Sequence, residues 1–224
     1  IHDFRKKGVM KIHQITERNI VFTFEYPEWD LNLHLILGEH RDYLIDTGMG
    51  RENIDPILNF RRERQRNKEL IIVNTHYHFD HIWGNYLFKD HLIIAHRDAP
   101  RMIEQDRDHA VKRYHEFWSD EIEKVLPHLL VSDELYFADD KILLFVASGH
   151  SIDGLSVLDE IDGVLNVGDN IGDTMEQLVP ELECSTEEYR QALEKYQALN
   201  FRHLVSGHNI LCDKSVLDRI RSLL

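Results

Sequence analysis

An apolar segment that runs directly into a group of histidines constrains this chain more than any other feature. Residues 69–74 read ELIIVN, and their length and apolar character predict a short buried strand. The residues that follow, THYHFDH at 75–81, contain the pattern H-x-H-x-D-H. We therefore expect the strand to hold this loop at its end, in a position that the rest of the fold has to support.

Further strands are predicted by alternation of apolar and polar residues or by short apolar runs. They lie at 19–26, 31–38, 41–48, 91–96, 134–150, 154–160, 163–169 and 202–209. The connections between the first three are short, which favours antiparallel neighbours.

Helical spacing of apolar residues predicts three helices. The first covers 53–65. The second covers 185–199 and begins with a capping box formed by Ser185 and Glu188. The third covers 213–224. This order of elements predicts two sheets packed face to face, with helices on the outside.

No Pro/Gly-rich linker or internal repeat divides the chain, so we expect residues 1–224 to form a single domain. Residues 97–130 have helical composition and no strand signal, and we interpret them as a helical insert. The segment MKIHQI begins at Met10, and the nine residues before it are either an extension or a tag.

The composition excludes some functions. The formal net charge is −14 and the pI is near 5.5, which disfavours nucleic acid as a partner. No apolar run approaches the roughly 18 residues that a membrane span needs. The chain has two cysteines, Cys184 and Cys212, which form no motif. We expect a protein of a reducing, cytoplasmic compartment that acts on a small molecule, with its oligomeric state open and a homodimer among the alternatives.

The histidine loop has the chemistry of a metal site. Imidazole and carboxylate groups are natural ligands for zinc and related divalent ions. In an extended loop, alternate side chains point the same way, so His76, His78 and Asp80 can converge while His81 turns with the next helix. Four ligands this close can serve two ions side by side.

Three more candidate ligands occupy one structural position, the end of an apolar strand. His150, Asp169 and His208 each follow a glycine at such an end. Glycine lets the backbone turn sharply and approach closely. The repetition of this pattern at three places favours ligands over simple turn residues.

Together these residues give the chain a resemblance to metallo-β-lactamase-fold hydrolases, from YLIDTG at 43–48 to VSGH at 205–208. The resemblance implies an α+β fold, the four-layer αββα sandwich, with the metal site at one edge between the sheets. It implies that Asp46 supports the metal loop without binding the ions, and we interpret His96 as structural. The implied ligands are His76, His78 and His150 for one ion, Asp80, His81 and His208 for the second, and Asp169 as the bridge.

This ligand set implies a hydrolase. Two divalent ions that share a water lower its pKa, so that a bridging hydroxide exists near neutral pH and attacks an electrophilic centre. Asp80 is then both ligand and catalytic proton acceptor. We expect two divalent ions, zinc first, with iron or manganese as alternatives.

Departures from known branches of the family narrow the range of possible substrates. Asp169 argues against β-lactam hydrolysis, and His78 argues against the oxygen-reducing flavodiiron branch. The ligand set is closest to hydroxyacylglutathione thioesterases and acyl-homoserine lactonases, but the tyrosine that lactonases carry after the bridging aspartate is missing. The chain also ends soon after His208, without the helical extension of the glutathione thioesterases. We therefore predict a small ester, thioester or lactone as substrate.

Two other activities stay open. One is a non-haem iron oxidoreductase that resembles persulfide dioxygenases, and the other is a phosphodiesterase of the same fold. We expect the insert to cover the metals and to contribute to substrate contact, together with aromatic residues beside the metal loop. The candidates for these contacts are Tyr77, Trp83, Tyr86, Arg97, Arg101, His109, Lys112, Arg113, Tyr114, His115 and Trp118.

Overall fold

The apolar strands of the chain form two sheets. The computed structural model describes residues 9–27, 29–119, 122–208 and 213–224. The first sheet contains, in spatial and chain order, β1 (Met10–Gln14), β2 (Asn19–Glu25), β3 (Asp30–Leu37), β4 (Asp42–Ile45), β5 (Leu70–Val73), β6 (Ile93–His96) and β7 (Leu129–Val131). The second contains β8 (Glu134–Phe137), β9 (Ile142–Val146), β10 (Leu155–Asp159), β11 (Val164–Asn166) and β12 (His203–Val205), in the spatial order β12-β11-β10-β9-β8.

The direction of pairing changes within the first sheet. Strands β1 to β4 pair antiparallel, whereas β4, β5, β6 and β7 pair parallel to one another. Strand β5 therefore lies between two parallel neighbours, and all four of its residues are buried. Parallel strands are usually covered on both faces, which explains why LIIV has no polar alternation.

The helices cover the outer faces of the two sheets. They are α1 (Arg51–Glu63), α2 (Phe79–Ile82), a 3-10 helix (Trp83–Phe88), α3 (Ala99–Arg113), α4 (Thr186–Ala198) and α5 (Ser215–Leu223). Helix α4 begins with the predicted capping box of Ser185 and Glu188. None of the helices in the described ranges is long and apolar enough to cross a membrane.

Three apolar clusters produce the layers. Residues of α1 pack with residues of β2 and β3 in one cluster, and α4 and α5 pack with β11 and β12 in another. Between the sheets, Ile45 and Val73 of the first sheet pack with Leu144 and Val157 of the second. The sequence prediction of two stacked sheets with helices outside is confirmed, and the whole is the αββα sandwich.

Two strands were not predicted from the sequence. Strand β1 begins at Met10, directly after the segment interpreted as an extension or a tag. The predicted helical insert at 97–130 is helical only in its first half, where α3 ends at Arg113. Its last residues belong to β7, which pairs with β6 at the sheet edge. Strand β7 has only three residues, and the helical composition of the residues before it gave no strand signal.

A buried ion-pair network anchors α1 to the first sheet. Asp42 of β4 is fully buried and accepts hydrogen bonds from Arg61 Nε at 3.0 Å and from Arg66. Loss of one partner leaves a buried guanidinium uncompensated, which typically costs about 3 kcal/mol or more. We expect Asp42→Ala to lower the free energy of unfolding by about that amount in urea denaturation.

An exposed pair on the same helix provides the control. Arg51 Nη1 lies 3.8 Å from Asp55 Oδ1, and more than half of each side chain is exposed to solvent. Exposed pairs contribute about 1 kcal/mol or less. Equal losses for Asp55→Ala and Asp42→Ala would show that the buried network does not anchor the helix.

A second buried carboxylate generates a pH-dependent prediction. Asp153, in the connection from β9 to β10, is fully buried, and its Oδ2 has no hydrogen-bond partner in the described structure. Burial raises its pKa to about 6, although a hydrogen bond from the Ser151 hydroxyl opposes this. The folded chain thus holds this proton more tightly than the unfolded chain, so this contribution to stability is full below about pH 4 and lost as pH rises through about 6.

We expect Asp153→Asn to remove that pH dependence. Relative to wild type, the variant should gain up to about 3 kcal/mol in free energy of unfolding between pH 4 and pH 7, since one pKa unit corresponds to about 1.4 kcal/mol. Urea titrations at several pH values measure the difference. The Asp90→Asn variant, at an exposed position, provides a matched control. The assignment would be contradicted if the difference in free energy of unfolding between Asp153→Asn and wild type did not change with pH.

Candidate metal centre

The two sheets bring their strand ends to a common edge. The histidine loop follows the carboxyl end of β5, with His78 directly before α2 and Asp80 in its first turn. In the second sheet, β11 and β12 are parallel, and β9 has the same direction because β10 is antiparallel to both β9 and β11. The residues after these three strands, His150, Asp169 and His208, therefore reach the same edge.

Three histidines form one group. The Nε2 atoms of His76 and His150 each lie 3.0 Å from Nδ1 of His78. His76 is buried, whereas His78 and His150 are partly exposed to a cleft. The candidate ligand atoms of all three lie within 4.8 Å of one another.

Asp80, His81 and His208 form the second group. Oδ2 of Asp80 lies 3.2 Å from Nε2 of His208 and 3.4 Å from Nε2 of His81. Oδ2 of Asp169 stands between the groups, 3.1 Å from Nε2 of His208, 3.2 Å from that of His81 and 3.7 Å from that of His76. The structure thus brings together all seven residues singled out in the sequence, with Asp169 between the two groups.

The outer nitrogens of the histidines are held by hydrogen bonds. His150 Nδ1 donates to the carbonyl oxygen of Glu181 at 2.9 Å, and His208 Nδ1 donates to that of Asp30 at 2.7 Å. Because a carbonyl oxygen can only accept, these protons lie outside and the Nε2 lone pairs face the centre. Outer partners of this kind are typical of metal-binding histidines.

Asp46 supports the loop from behind. Its Oδ1 accepts a hydrogen bond from the backbone N–H of Thr75 at 2.7 Å, and its Oδ2 accepts from the Thr75 hydroxyl at 2.7 Å and from His81 Nδ1 at 2.8 Å. Asp46 has a φ of 64°, a conformation that aspartate tolerates better than most residues. One buried carboxylate therefore fixes both the start of the loop and the orientation of His81.

The seven residues fit cations. Imidazole nitrogens that face one another at 3.0 Å need a proton or a metal ion between them. Two buried atoms of the centre, Nε2 of His81 and Oδ1 of Asp169, make no hydrogen bond within the described structure. Buried polar atoms normally have partners, so these orphan atoms indicate that the site is built for a group bound from outside.

The charges of the site are mutually dependent. Burial disfavours the ionised carboxylates, but His81 and His208 hold the pKa values of Asp80 and Asp169 well below the usual range. Burial likewise opposes charge on the two histidines, but Asp169 and Asp80 hold their pKa values well above the usual range. Protons and metal ions thus compete for the same atoms, and binding of divalent ions would release protons.

Two glycines allow the close approach. A Cβ on Gly207 would lie 2.1 Å from Asp169 Oδ1, and one on Gly168 would lie 2.9 Å from the Thr75 side chain. Gly168 also has a φ of 55°, in the left-handed region that favours glycine. These contacts explain why the residues before Asp169 and His208 have no side chain.

A cleft of about 560 Å³ opens above the seven residues. Of the candidates for substrate contact, Tyr77, His109, Arg113 and Tyr114 line it. Trp83 and Trp118 instead line a small adjoining apolar pocket, where their rings meet edge to face at 5.0 Å. The other candidates, Tyr86, Arg97, Arg101, Lys112 and His115, line neither space. His96 is buried away from the cleft, and its Nδ1 accepts a hydrogen bond from the backbone of Asp98.

Several lining residues were missed in the sequence. Glu183 accepts a hydrogen bond from the Tyr77 hydroxyl at 2.7 Å and lies 3.3 Å from Nε2 of His78. Burial raises its pKa, but these hydrogen bonds prevail and lower it to about 2. The segment that contains Glu183 has no periodic pattern, so nothing in the sequence pointed to it. The other missed residues are Trp29, Phe79, Asp106, Glu116, Phe117, Asp173, Glu181 and Leu182.

Solved structures show the same fold. DIM-1 metallo-β-lactamase exposed to ceftazidime superposes with a TM-score of 0.77, at 17% identity, over 97% of each chain. A metallo-β-lactamase from Pontibacter korlensis also gives 0.77, at 17% identity, over 96% of this chain and 98% of that one. At this identity the likeness establishes the fold alone.

Sequence comparison points to the same family. Human acyl-coenzyme A thioesterase MBLAC2 is 25% identical over 167 residues, and the Bos taurus protein of that name is equally similar. The match covers 63% of this chain and 58% of the human protein, so this chain spans less than two thirds of that relative. The family model described as metallo-beta-lactamase superfamily matches residues 28–208. This chain therefore belongs to the metallo-β-lactamase superfamily, most of whose members are metal-dependent hydrolases.

Proposed function

We propose that this chain is a dinuclear, metal-dependent hydrolase of a small ester, thioester or lactone. The observation that carries the proposal is the pair of ligand groups that share Asp169. His76, His78 and His150 would hold one ion, Asp80, His81 and His208 the other, and Asp169 both. Histidine and carboxylate ligands in this number suit zinc, with iron and manganese as alternatives.

Two bound divalent ions would supply an activated water and an electrophile for a carbonyl oxygen. The chain itself orients the groups around them. Asp46 and the carbonyls of Asp30 and Glu181 prevent rotation of the histidine rings. Asp80 lines the cleft beside the second group, and we assign to its carboxylate the acceptance of the proton from the attacking water.

The curated relatives support the carbonyl chemistry. They are named acyl-coenzyme A thioesterases, and thioester hydrolysis needs an activated water and a polarised carbonyl. The second ligand group favours this activity over the iron oxidoreductase, since one iron needs only two histidines and a carboxylate.

Elemental analysis tests the number and kind of ions. We expect about two zinc ions per chain in protein purified without chelators, and about one or fewer in the Asp169→Ala variant, which lacks the shared ligand. Asp55→Ala, an exposed change elsewhere, should keep the wild-type content. A single iron per wild-type chain, together with oxygen consumption, would support the oxidoreductase instead.

Substitution of Asp80 tests the mechanism. We expect Asp80→Ala to lower kcat/KM for a p-nitrophenyl ester by at least about 100-fold, because the variant loses a ligand and a proton acceptor. Little core volume is lost, so the circular dichroism spectrum should stay that of the wild type. The exposed Asp90→Ala serves as control, and wild-type turnover by Asp80→Ala would refute the role assigned to Asp80.

A further inference from the structure

One wall of the cleft is aromatic. The Trp29 ring meets the His208 ring edge to face at 5.3 Å, directly beside the metal centre. Phe117 lies 6.1 Å from Trp29, and Phe79 stacks on Tyr114 with ring centroids 3.9 Å apart. The rings of this wall are half-buried, so part of each is exposed; they belong to Trp29, Phe79, Tyr114 and Phe117. Such a surface accepts apolar groups, and aromatic faces also attract organic cations.

The rest of the lining is acidic. Apart from the seven candidate ligands, the described lining holds five carboxylates, and its one permanently charged cation is Arg113. The carboxylates therefore outnumber the guanidinium by four charges, and this excess surrounds a centre in which two divalent ions together with Asp80 and Asp169 would carry about two positive charges. They come from two segments. Asp106 lies in α3 and Glu116 just after it, and the loop before α4 contributes Asp173, Glu181 and Glu183.

Asp173 and Glu181 form no ion pair with any residue that the structure describes. The whole chain is acidic as well, with a net charge of −14. A cleft lined by one sign of charge raises the local concentration of ligands of the opposite sign and repels ligands of its own.

The space for an acyl chain is small. The apolar pocket beneath α3 shares Tyr77 and Phe79 with the cleft, but it has a volume of only about 30 Å³. That volume holds one or two water molecules. A short acyl group therefore suits the site better than a long one, which would have to lie in the open cleft.

We propose that the substrate is a short-chain ester or thioester with a positively charged group, and that the cleft discriminates against polyanionic carriers. This inference rests on the proposed hydrolase function. The reacting carbonyl reaches the metal centre, while the cationic group lies between the aromatic wall and the carboxylates of the loop. Water adds to the carbonyl carbon, the bond to the leaving oxygen or sulfur breaks, and an acid and an alcohol or thiol are released.

Three thioesters with one acyl group separate the effect of charge from that of reactivity. S-butyrylthiocholine is cationic, S-butyryl-N-acetylcysteamine is neutral, and butyryl-coenzyme A carries the same reacting end as the neutral compound plus several phosphates. We expect kcat/KM of the zinc-loaded protein to fall in that order, by at least about tenfold from first to last in low salt. The ratio should shrink in 0.5 M salt, because ions screen the cleft.

Paired variants locate the effect. Asp173→Asn with Glu181→Gln removes two charges from the cleft and should reduce the thiocholine-to-coenzyme A ratio several-fold. Glu63→Gln with Glu194→Gln removes two charges from exposed positions on α1 and α4 and should leave the ratio unchanged. Calorimetry gives a second readout, in which phenyltrimethylammonium should bind the wild-type protein more tightly than it binds the Asp173→Asn, Glu181→Gln variant.

The outcomes distinguish failure of this inference from failure of the proposed hydrolase function on which it rests. Preference for butyryl-coenzyme A, or a ratio that responds neither to salt nor to the cleft variants, would overturn the inference and leave the hydrolase intact. Failure of the metal-loaded protein to hydrolyse any of the thioesters or a p-nitrophenyl ester would overturn the proposed function, and the inference with it.

Discussion

The hydrogen bonds on the outer nitrogens of the histidines determine where their lone pairs point. The carbonyl oxygens of Asp30 and Glu181 can only accept, so the protons of His208 and His150 stay outside. In the first group, Nε2 of His150 then faces Nδ1 of His78 at 3.0 Å, as Nε2 of His76 does, and this spacing needs a proton or a metal ion between the nitrogens. The demand for positive charge is thus imposed by the surrounding backbone, and not only by the ligand side chains.

That arrangement needs both sheets. The loop after β5 contributes four neighbouring candidate ligands, but residues this close in the chain could not surround two ions from all sides. The second sheet contributes three single residues from separate strand ends, and Asp169 contacts members of both groups. Apolar packing between the sheets, such as Ile45 and Val73 against Leu144 and Val157, therefore sets the distance across the centre. A change in that packing would shift ligands that are far from it in the sequence.

The sequence predicted the layers and the seven centre residues because both leave local signals. A buried strand is a short apolar run, and each single candidate ligand follows a strand and a glycine. A Cβ on Gly207, for example, would lie 2.1 Å from Asp169 Oδ1. The walls of the cleft leave no such signal. Trp29 lies just before β3 and Glu183 in an irregular loop, and only the three-dimensional fold places them beside the candidate metal centre. Strand β7 was missed for a similar reason, since its pairing with β6 is not encoded in its three residues.

The residues of the metal centre and those of the cleft have different roles: the first bear on the type of reaction, and the second bear on the choice of substrate. In the proposed function, the centre residues would hold the ions that activate a water, and that chemistry would serve any acyl compound whose carbonyl reaches the site. Selection among such compounds depends on residues that bind no ion, namely the aromatic wall at Trp29 and the carboxylates of Asp173 and Glu181. Four excess negative charges in the lining suit a cation and oppose the phosphates of coenzyme A, although the curated relatives are named for that carrier. Shared ligands can therefore place two proteins in one superfamily while the electrostatics of the cleft direct them to different substrates.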